Sequence, residues 1–163
     1  QTGNGNQLYM GVVSDTGAQG IADVTIRQIG DLNTATIRCG TEVTDSSCNQ
    51  LDMNVKFTGN SNALVFRGSG ANIRNSMDFN GNNNTVNMDV LSPNASQTIL
   101  VTGNYNDFDV TQTGSGGTFG HSLYFNLTGS ANTITTQQYG VSETVINVNS
   151  MGSNGTFNIK TGH

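Results

Sequence analysis

Apolar and polar residues alternate in two short runs on either side of a four-residue link, and this plan repeats along most of the chain. In its clearest copy the runs begin at Val24 and end at Arg38, and the link is Gly30-Asp-Leu-Asn33. Alternation with a period of two predicts β-strands, and a short link with Gly and Asn predicts a tight turn, which we call an arc. The pattern therefore predicts strand-arc-strand units, which we call rungs.

The Gly-x-x-Asn link recurs with a long, slightly variable period. Its fourth positions are residues 6, 33, 62, 84, 106, 132 and 155, so the spacings are 27, 29, 22, 22, 26 and 23 residues. Such a period is typical of solenoids, in which each repeat buries its apolar face against the next. The sequence thus predicts an all-β fold, a β-solenoid (β-helix) of about six to seven rungs. Residues 1–23 are predicted to form an N-terminal half rung and link, and residues 24–163 a six-rung solenoid in the same domain.

Aligning the repeats on the fourth arc position tests this prediction, because successive side chains of a strand face opposite sides of a sheet. The positions two and four residues after the arc are apolar in all but one case, Thr136. Stacked rungs would bury these positions in one core, worth about 1.5–3 kcal/mol for each large side chain that becomes fully buried. The first of these columns is Leu8, Ala35, Leu64, Val86, Phe108, Ile134 and Phe157, and the second is Met10, Ile37, Phe66, Met88, Val110, Thr136 and Ile159.

The Gly and Asn residues of the arcs have separate physical roles. Glycine adopts a positive φ without steric cost, whereas Asn tolerates the left-handed region and bonds to nearby backbone. Asn side chains stacked from rung to rung also form hydrogen-bonded ladders. We interpret the arc residues as structural rather than ligand-binding. They are Gly3, Asn6, Gly30, Asn33, Gly59, Asn62, Gly81, Asn84, Gly103, Asn106, Gly129, Asn132 and Gly152.

Composition narrows the classes of protein and partner. Hydrophobic residues make up 34% and charged residues only 10% of the chain, but its richness in Val, Ile and Thr argues against disorder. The net charge of −5 and the lack of a basic run argue against nucleic acid and anionic membranes as partners. No apolar run approaches the roughly 18 residues of a membrane span. Because residue 1 is Gln, we expect a processed chain whose targeting signal has been removed.

Cys39 and Cys48 are the two cysteines of the chain, and a polar segment separates them. A pair that closes a polar loop predicts a disulfide in an exported protein, worth about 2–3 kcal/mol. No His lies near enough in sequence to suggest a zinc site. The inward column position of Cys39 also argues against an exposed nucleophile.

Catalytic side chains are scarce. His121 and His163 are the two histidines, and no Ser-His-Asp arrangement is indicated. Asp107 and Asp109 share one face of a predicted strand, where a solvated surface is favoured over a cation site. We therefore expect no enzyme activity, no cofactor and no metal.

Charged outward residues are placed to attract one another between rungs. Arg67 is followed one rung later by Asp89, and Lys56 by Asp78. Neighbouring strands lie about 4.8 Å apart. Each exposed pair would be worth at most about 1 kcal/mol, so we interpret them as devices that fix the register.

One arc resembles a known repeat. Gln28-Ile-Gly-Asp-Leu-Asn-Thr-Ala35 is similar to the Gln-x-Gly-x-x-Asn-x-Ala signature of curlin repeats, the subunits of bacterial curli fibres, and Gln112 and Gln138 match the second Gln of that signature. The other repeats depart from it. At the first Gln position they have Phe57, Phe79, Val101, Leu127 and Ser150, and at the second some have Gly68, Val90 and Thr161. The repeat that begins at Gln28 itself has Cys39 at the second position.

The resemblance implies a β-solenoid that polymerises outside the cell. In that reading the chain is a secreted subunit of a surface fibre serving adhesion or biofilm matrix, either a major subunit or one that anchors or nucleates. Its partners would be other copies of itself and a nucleator or an outer-membrane secretion or anchor protein.

Two other classes stay open. One is a β-helical adhesin or surface-anchoring protein that does not polymerise. The other is an ice-binding solenoid, which needs a flat and repeated Thr array. Asp107 and Asp109 interrupt the two outward columns that carry Thr after the arcs, so this class is the least favoured.

The ends of the stack favour the fibre. The strand from Gln7 to Val13 carries no charge, and the last rung, Val145 to Thr161, carries one Lys and no Pro. Exposed strand edges in monomeric proteins are usually blunted by such residues or by a covering element. The half rung also leaves one strand position vacant beside the first full rung. We therefore expect head-to-tail assembly through Leu8, Met10, Val12, Ile146, Val148, Phe157 and Ile159.

Overall fold

The computed structural model describes residues 1–12, 22–40, 48–114, 121–140 and 144–162. Their regular elements are all β-strands, and they contain no helix long and apolar enough to cross a membrane. The strands are β1 (Gln7–Val12), β2 (Ala22–Ile29), β3 (Thr34–Cys39), β4 (Leu51–Thr58), β5 (Ala63–Ser69), β6 (Ile73–Asn80), β7 (Thr85–Leu91), β8 (Ala95–Thr102), β9 (Asp107–Thr113), β10 (His121–Thr128), β11 (Thr133–Tyr139), β12 (Thr144–Met151) and β13 (Thr156–Gly162).

The strands form two parallel sheets. A seven-stranded sheet has the order β1-β3-β5-β7-β9-β11-β13, and a six-stranded sheet has the order β12-β10-β8-β6-β4-β2. Each even-numbered strand is joined by an arc to the odd-numbered strand that follows it, so one rung supplies a strand to each sheet. The predicted all-β β-solenoid is confirmed.

The register between strands agrees with the predicted columns. Leu64 pairs with Val86 and Val86 with Phe108 in the seven-stranded sheet. In the six-stranded sheet Met77 pairs with Ile99, which pairs in turn with Phe125. Burial alternates along the strands, as in β4, where every second residue from Leu51 to Phe57 is buried and the residues between them are exposed. The inward columns therefore form one continuous core between the sheets.

Four phenylalanine rings run through that core. The ring centroids of Phe57 and Phe79 lie 5.3 Å apart, those of Phe79 and Phe108 5.5 Å, and those of Phe108 and Phe125 5.9 Å, all in edge-to-face contact. All four side chains are fully buried. Such contacts add about 0.5–1.5 kcal/mol per pair beyond the burial of the rings, so successive rungs are tied together across both sheets.

The N-terminal residues correct one expectation. The predicted vacancy beside the first full rung is partly filled, because Thr2 forms a parallel bridge with Ile29. The backbone N–H of Ile29 donates to the Gln1 carbonyl oxygen at 2.9 Å, and the N–H of Gly3 donates to the Ile29 carbonyl oxygen at 2.9 Å. The first arc is therefore preceded by a short sheet segment. β2 also begins at Ala22, inside the segment predicted to be a link.

The disulfide lies where β3 ends. Cys39 and Cys48 are bonded, with a Cα–Cα distance of 5.4 Å, and both are fully buried. This confirms the predicted pairing. Residues 41–47, between the two cysteines, lie outside the described residues.

Candidate assembly site

The arc glycines are required for two reasons. Their φ angles are positive, from 120° at Gly30 to 149° at Gly152. In addition, a Cβ atom placed on the glycine of one arc would overlap the carbonyl oxygen of the glycine one rung earlier, as at Gly81 over Gly59. The positive φ can be predicted from a single repeat. The overlap cannot, because it arises only when the rungs stack. The stacked arcs thus leave no room for a side chain at these glycines.

The left-handed residue of each arc is the third one, not the fourth as the sequence suggested. Leu32, Ser61, Asn83, Tyr105, Ala131 and Asn154 have φ between 56° and 59°. The repeated plan of the arc therefore places an ordinary side chain in a conformation that is disfavoured by about 1–2 kcal/mol. The role of the fourth-position Asn is instead to form hydrogen bonds.

The fourth-position Asn residues form an inner ladder through the stack. The backbone N–H of each donates to the Oδ1 of the Asn one rung later, at 2.9 Å from Asn62 to Asn84 and 2.8 Å from Asn84 to Asn106. The side chains from Asn33 to Asn132 are buried, whereas that of Asn6 is half-buried. The full ladder runs through Asn6, Asn33, Asn62, Asn84, Asn106 and Asn132. The predicted Asn ladder is present.

Some of these side chains also close their own arc. Asn6 Nδ2 donates to the Gly3 carbonyl oxygen at 2.6 Å, and Asn33 Nδ2 donates to that of Gly30 at 2.7 Å. Further along the stack the amide donates between rungs, as from Asn84 Nδ2 to Asn106 Oδ1 at 3.1 Å. One buried side chain therefore links the two ends of an arc or two arcs.

An outer ladder, which the sequence analysis missed, runs through the second arc positions. The backbone N–H of Asn60 donates to Asp31 Oδ1 at 2.6 Å, and that of Asn82 donates to Asn60 Oδ1 at 2.9 Å. Here each N–H donates to the rung before it, opposite to the inner ladder. The signal was available, because every second position carries a small side chain with an oxygen: Asn4, Asp31, Asn60, Asn82, Asn104, Ser130 and Ser153.

The inner ladder stops at the last arc. Gly152-Ser-Asn-Gly155 has glycine at the fourth position, so it supplies no side-chain oxygen to the Asn132 N–H. The outer ladder continues one step further, with the Ser153 N–H donating to Ser130 Oγ at 3.3 Å.

The residues predicted as assembly ends differ in exposure. Phe157 and Ile159 of β13 are 41% and 47% exposed, although their columns are fully buried in the middle of the stack. Ile146 and Val148 of β12 are half-buried. At the other end, Leu8 and Met10 of β1 are half-buried, and Val12 pairs with Cys39 while its side chain lies outside the described part. Among the described strands, β1, β2, β12 and β13 each have a single strand neighbour in their sheet.

The predicted charge pairs are aligned between rungs. Lys56 Nζ lies 2.6 Å from Asp78 Oδ2, and both side chains are partly exposed. Arg67 is the register partner of Asp89. Asp107 and Asp109 lie on the exposed face of β9. Within the described ranges no three His, Cys, Asp or Glu side chains are grouped to hold a metal ion.

His121 is the one titratable side chain found in the described core. It is 1% exposed, and its ring lies beside the backbone of Gly114 and Tyr139. Burial lowers the pKa of His121, and the nearby backbone of Gly114 and Tyr139 opposes this shift only in part. The imidazole therefore packs as a neutral ring. His163 lies outside the described residues.

Comparison of the chain with protein-family models, curated proteins and solved structures found no match. The class of protein is therefore inferred from the geometry of the fold. A parallel β-solenoid with two hydrogen-bonded ladders is consistent with a structural protein of the fibre or adhesin type.

Proposed function

We propose that the protein is a structural subunit of an extracellular fibre that forms by head-to-tail stacking of solenoids. The observation that carries this proposal is the exposure of Phe157 and Ile159, at 41% and 47%, in columns that are otherwise buried. A further rung of the same kind would cover them, and a second copy supplies such a rung. Burying each would contribute up to about 1.5–3 kcal/mol.

The hydrogen-bond polarity of the arcs supports the same arrangement. In the inner ladder each N–H donates toward the next rung, so the Gly155 N–H would donate to Asn6 Oδ1 of a copy stacked on the last rung. In the outer ladder each N–H donates toward the preceding rung, so the Asn4 N–H of that copy would donate to Ser153 Oγ. Head-to-tail stacking thus continues the outer ladder and resumes the inner ladder beyond its break at Gly155, and such a heterologous contact leads to an open filament.

The open strand edges supply the backbone part of the contact. In the chain as described, β13 has β11 as its single neighbour and β1 has β3. The free side of each edge carries backbone groups that can extend a parallel ladder, which is how exposed edges recruit another chain. Side-chain burial and backbone pairing together offset the roughly 4–15 kcal/mol that association costs.

The setting of the fibre is also part of the proposal. The buried disulfide between Cys39 and Cys48 favours an oxidising compartment and hence export. The resemblance of the arc from Gln28 to Ala35 to curlin repeats favours a surface fibre with an adhesive or matrix role, and a separate protein that nucleates or anchors it.

Two paired variants test the stacking. Replacing Val148 and Ile159 by Lys would place two charges in the joining surface, and we expect folded monomers with the circular dichroism of the parent chain. The control replaces Asn147 and Asn158, the exposed neighbours of these residues on β12 and β13, by Lys. Negative-stain electron microscopy at neutral pH should show filaments of the parent and the control only.

Other outcomes contradict the proposal. If the Val148→Lys, Ile159→Lys protein grows filaments with the parent's axial repeat, stacking through the last rung is wrong. If the parent chain itself stays monomeric, the non-polymerising adhesin class replaces the fibre.

A further inference from the structure

The outward face of the six-stranded sheet contains a polar groove that fibre assembly does not use. A cavity of about 540 Å³ lies over β2, β4, β6 and β8, within the range of about 300–1,000 Å³ typical of ligand sites. A second hollow of about 360 Å³ adjoins it and shares Asp52 and Arg74. The outward residues that line the cavity include Asp23, Thr25, Asp52, Asn54, Arg74 and Ser76.

The register arranges these side chains in two adjacent columns. Asp23 pairs with Asp52, and Asp52 pairs with Arg74. Two residues along the same strands, Thr25, Asn54 and Ser76 form the second column. Neighbouring strands lie about 4.8 Å apart, so the groove presents a polar group at regular intervals along the solenoid axis.

The charges in this groove are left without partners. Asp52 and Arg74 are adjacent across two strands, yet neither makes an ion pair or a hydrogen bond within the described ranges. Lys56 and Asp78 have the same relation on the same two strands and form a contact of 2.6 Å. Asp52 and Arg74 line the cavity, whereas Lys56 and Asp78 do not. The groove therefore offers both an acceptor and a donor to a ligand.

The chemistry of the groove excludes several kinds of ligand. A peptide that binds by adding a strand would need a free strand edge, whereas the backbone of β4 and β6 is paired on both sides. Nucleic acid would meet the carboxylates of Asp23 and Asp52. A calcium ion needs about 6–8 oxygen ligands and would lie beside the Arg74 guanidinium.

We propose that this groove binds neutral oligosaccharides by direct hydrogen bonds to their hydroxyl groups. A hydroxyl group both donates and accepts, so adjacent hydroxyls of one sugar can donate to the Asp52 carboxylate and accept from the Arg74 guanidinium. The Thr25 and Ser76 hydroxyls and the Asn54 amide extend the same pattern along the chain of sugars. Anionic sugars are disfavoured, because the lining carries the two carboxylates of Asp23 and Asp52 against the one guanidinium of Arg74.

A glycan microarray tests this site with the full chain. The array would hold neutral, uronate-containing and amino-sugar oligosaccharides, and the buffer would contain a chelator. We expect retention on neutral glycans, and Asp52→Asn and Arg74→Gln should each weaken the affinity for the best of them by about tenfold, measured by calorimetry. Both residues are exposed, so thermal unfolding should stay unchanged.

Asp109→Asn is the matched control, because Asp109 is an exposed Asp on the opposite sheet. It should leave the affinity unchanged. Three results would overturn the site: no retention on any neutral glycan, equal affinity of the Asp52→Asn, Arg74→Gln and parent proteins, or retention that needs calcium. The groove lies on the side of the stack, so none of these results depends on whether the solenoids polymerise.

Discussion

The middle and the last rung of the solenoid share one sequence pattern but differ in structure. Phe108 and Val110 of β9 are fully buried, whereas Phe157 and Ile159, in the same two columns, are 41% and 47% exposed. The difference lies outside the repeat itself, because the middle rung has a neighbour on each side and the last rung of the described stack has one. A column position thus decides which way a side chain faces, and the adjoining rung decides whether it is buried.

The arcs show the same contrast in their hydrogen bonds. The Asn84 N–H donates to Asn106 Oδ1, but Gly155 offers no side-chain oxygen to the Asn132 N–H. The arc at the end of the stack keeps its glycine with positive φ at Gly152 and loses one ladder. Backbone shape is therefore a property of each arc, whereas ladder bonding is a property of the stack.

The largest expected effect is the difference in unfolding free energy between a substitution in the core and one in the last rung. Phe108→Ala should lower the free energy of unfolding by about 3–5 kcal/mol, because it opens a cavity between the two sheets. Phe157→Ala should cost about 1 kcal/mol or less, since its ring is partly in water. Urea unfolding of monomeric samples measures both. Equal losses would show that the last rung is covered in solution.

The next effect tests close approach in the arcs. Gly81→Val should lower the free energy of unfolding by at least about 2 kcal/mol, because Val is strained at positive φ and its Cβ would overlap the Gly59 carbonyl oxygen. Asn82→Ser keeps an oxygen in the outer ladder and should change little. Thermal unfolding of the two variants compares them, and similar small shifts would contradict the role assigned to Gly81.

A smaller effect tests the inner ladder. Asn84→Ala removes the oxygen that accepts the buried Asn62 N–H. Leaving that group unpaired should cost about 1–3 kcal/mol. Asn87→Ala, at an exposed position of β7 in the same rung, is the control for loss of an amide. Chemical denaturation should distinguish them, and a loss in the control as large as that in Asn84→Ala would mean that the ladder contributes nothing specific.

The smallest expected effect comes from adding the missing ladder oxygen to the last arc. Gly155→Asn would give the last arc a ladder oxygen within reach of the Asn132 N–H, which should raise stability by about 0.5–1.5 kcal/mol. Gly155→Ala is the control, because it adds a Cβ without an oxygen. A higher midpoint for the Asn variant alone would extend the inner ladder to the end of the stack. Equal midpoints for the two variants would show that the ladder needs a further rung to form.

Several features of the fold could be read directly from the chain. The period of the arcs and the alternation around Phe66 or Met77 give the strands, their inward faces and the register, because each depends on residues within one repeat and its copies. The Cys39 to Cys48 pairing followed from two cysteines around a short polar segment. The curlin-like arc suggested the same architecture.

Other features could not be assigned from one repeat. The outer ladder at Asn60 and Asn82 was overlooked because a polar residue in a turn is compatible with many roles. The left-handed residue was placed at the fourth position, since Asn is a better candidate on propensity than the Leu32 or Tyr105 that adopts that conformation. The tertiary structure overrides propensity here, because the inner ladder needs the Asn at the position beside the core.

The sequence by itself determined the repeat, the two faces of every strand and the location of the arcs, because these follow from local periodicity and turn chemistry. Only the tertiary structure decided the overlap that forbids a Cβ at Gly81, the opposite directions of the two ladders and the pairing of Thr2 with Ile29. It also decided that Asp52 and Arg74 face a cavity while Lys56 and Asp78 bond to each other. These features depend on distances between residues of different rungs, which are set by the stacking of backbones and are not encoded in any single repeat.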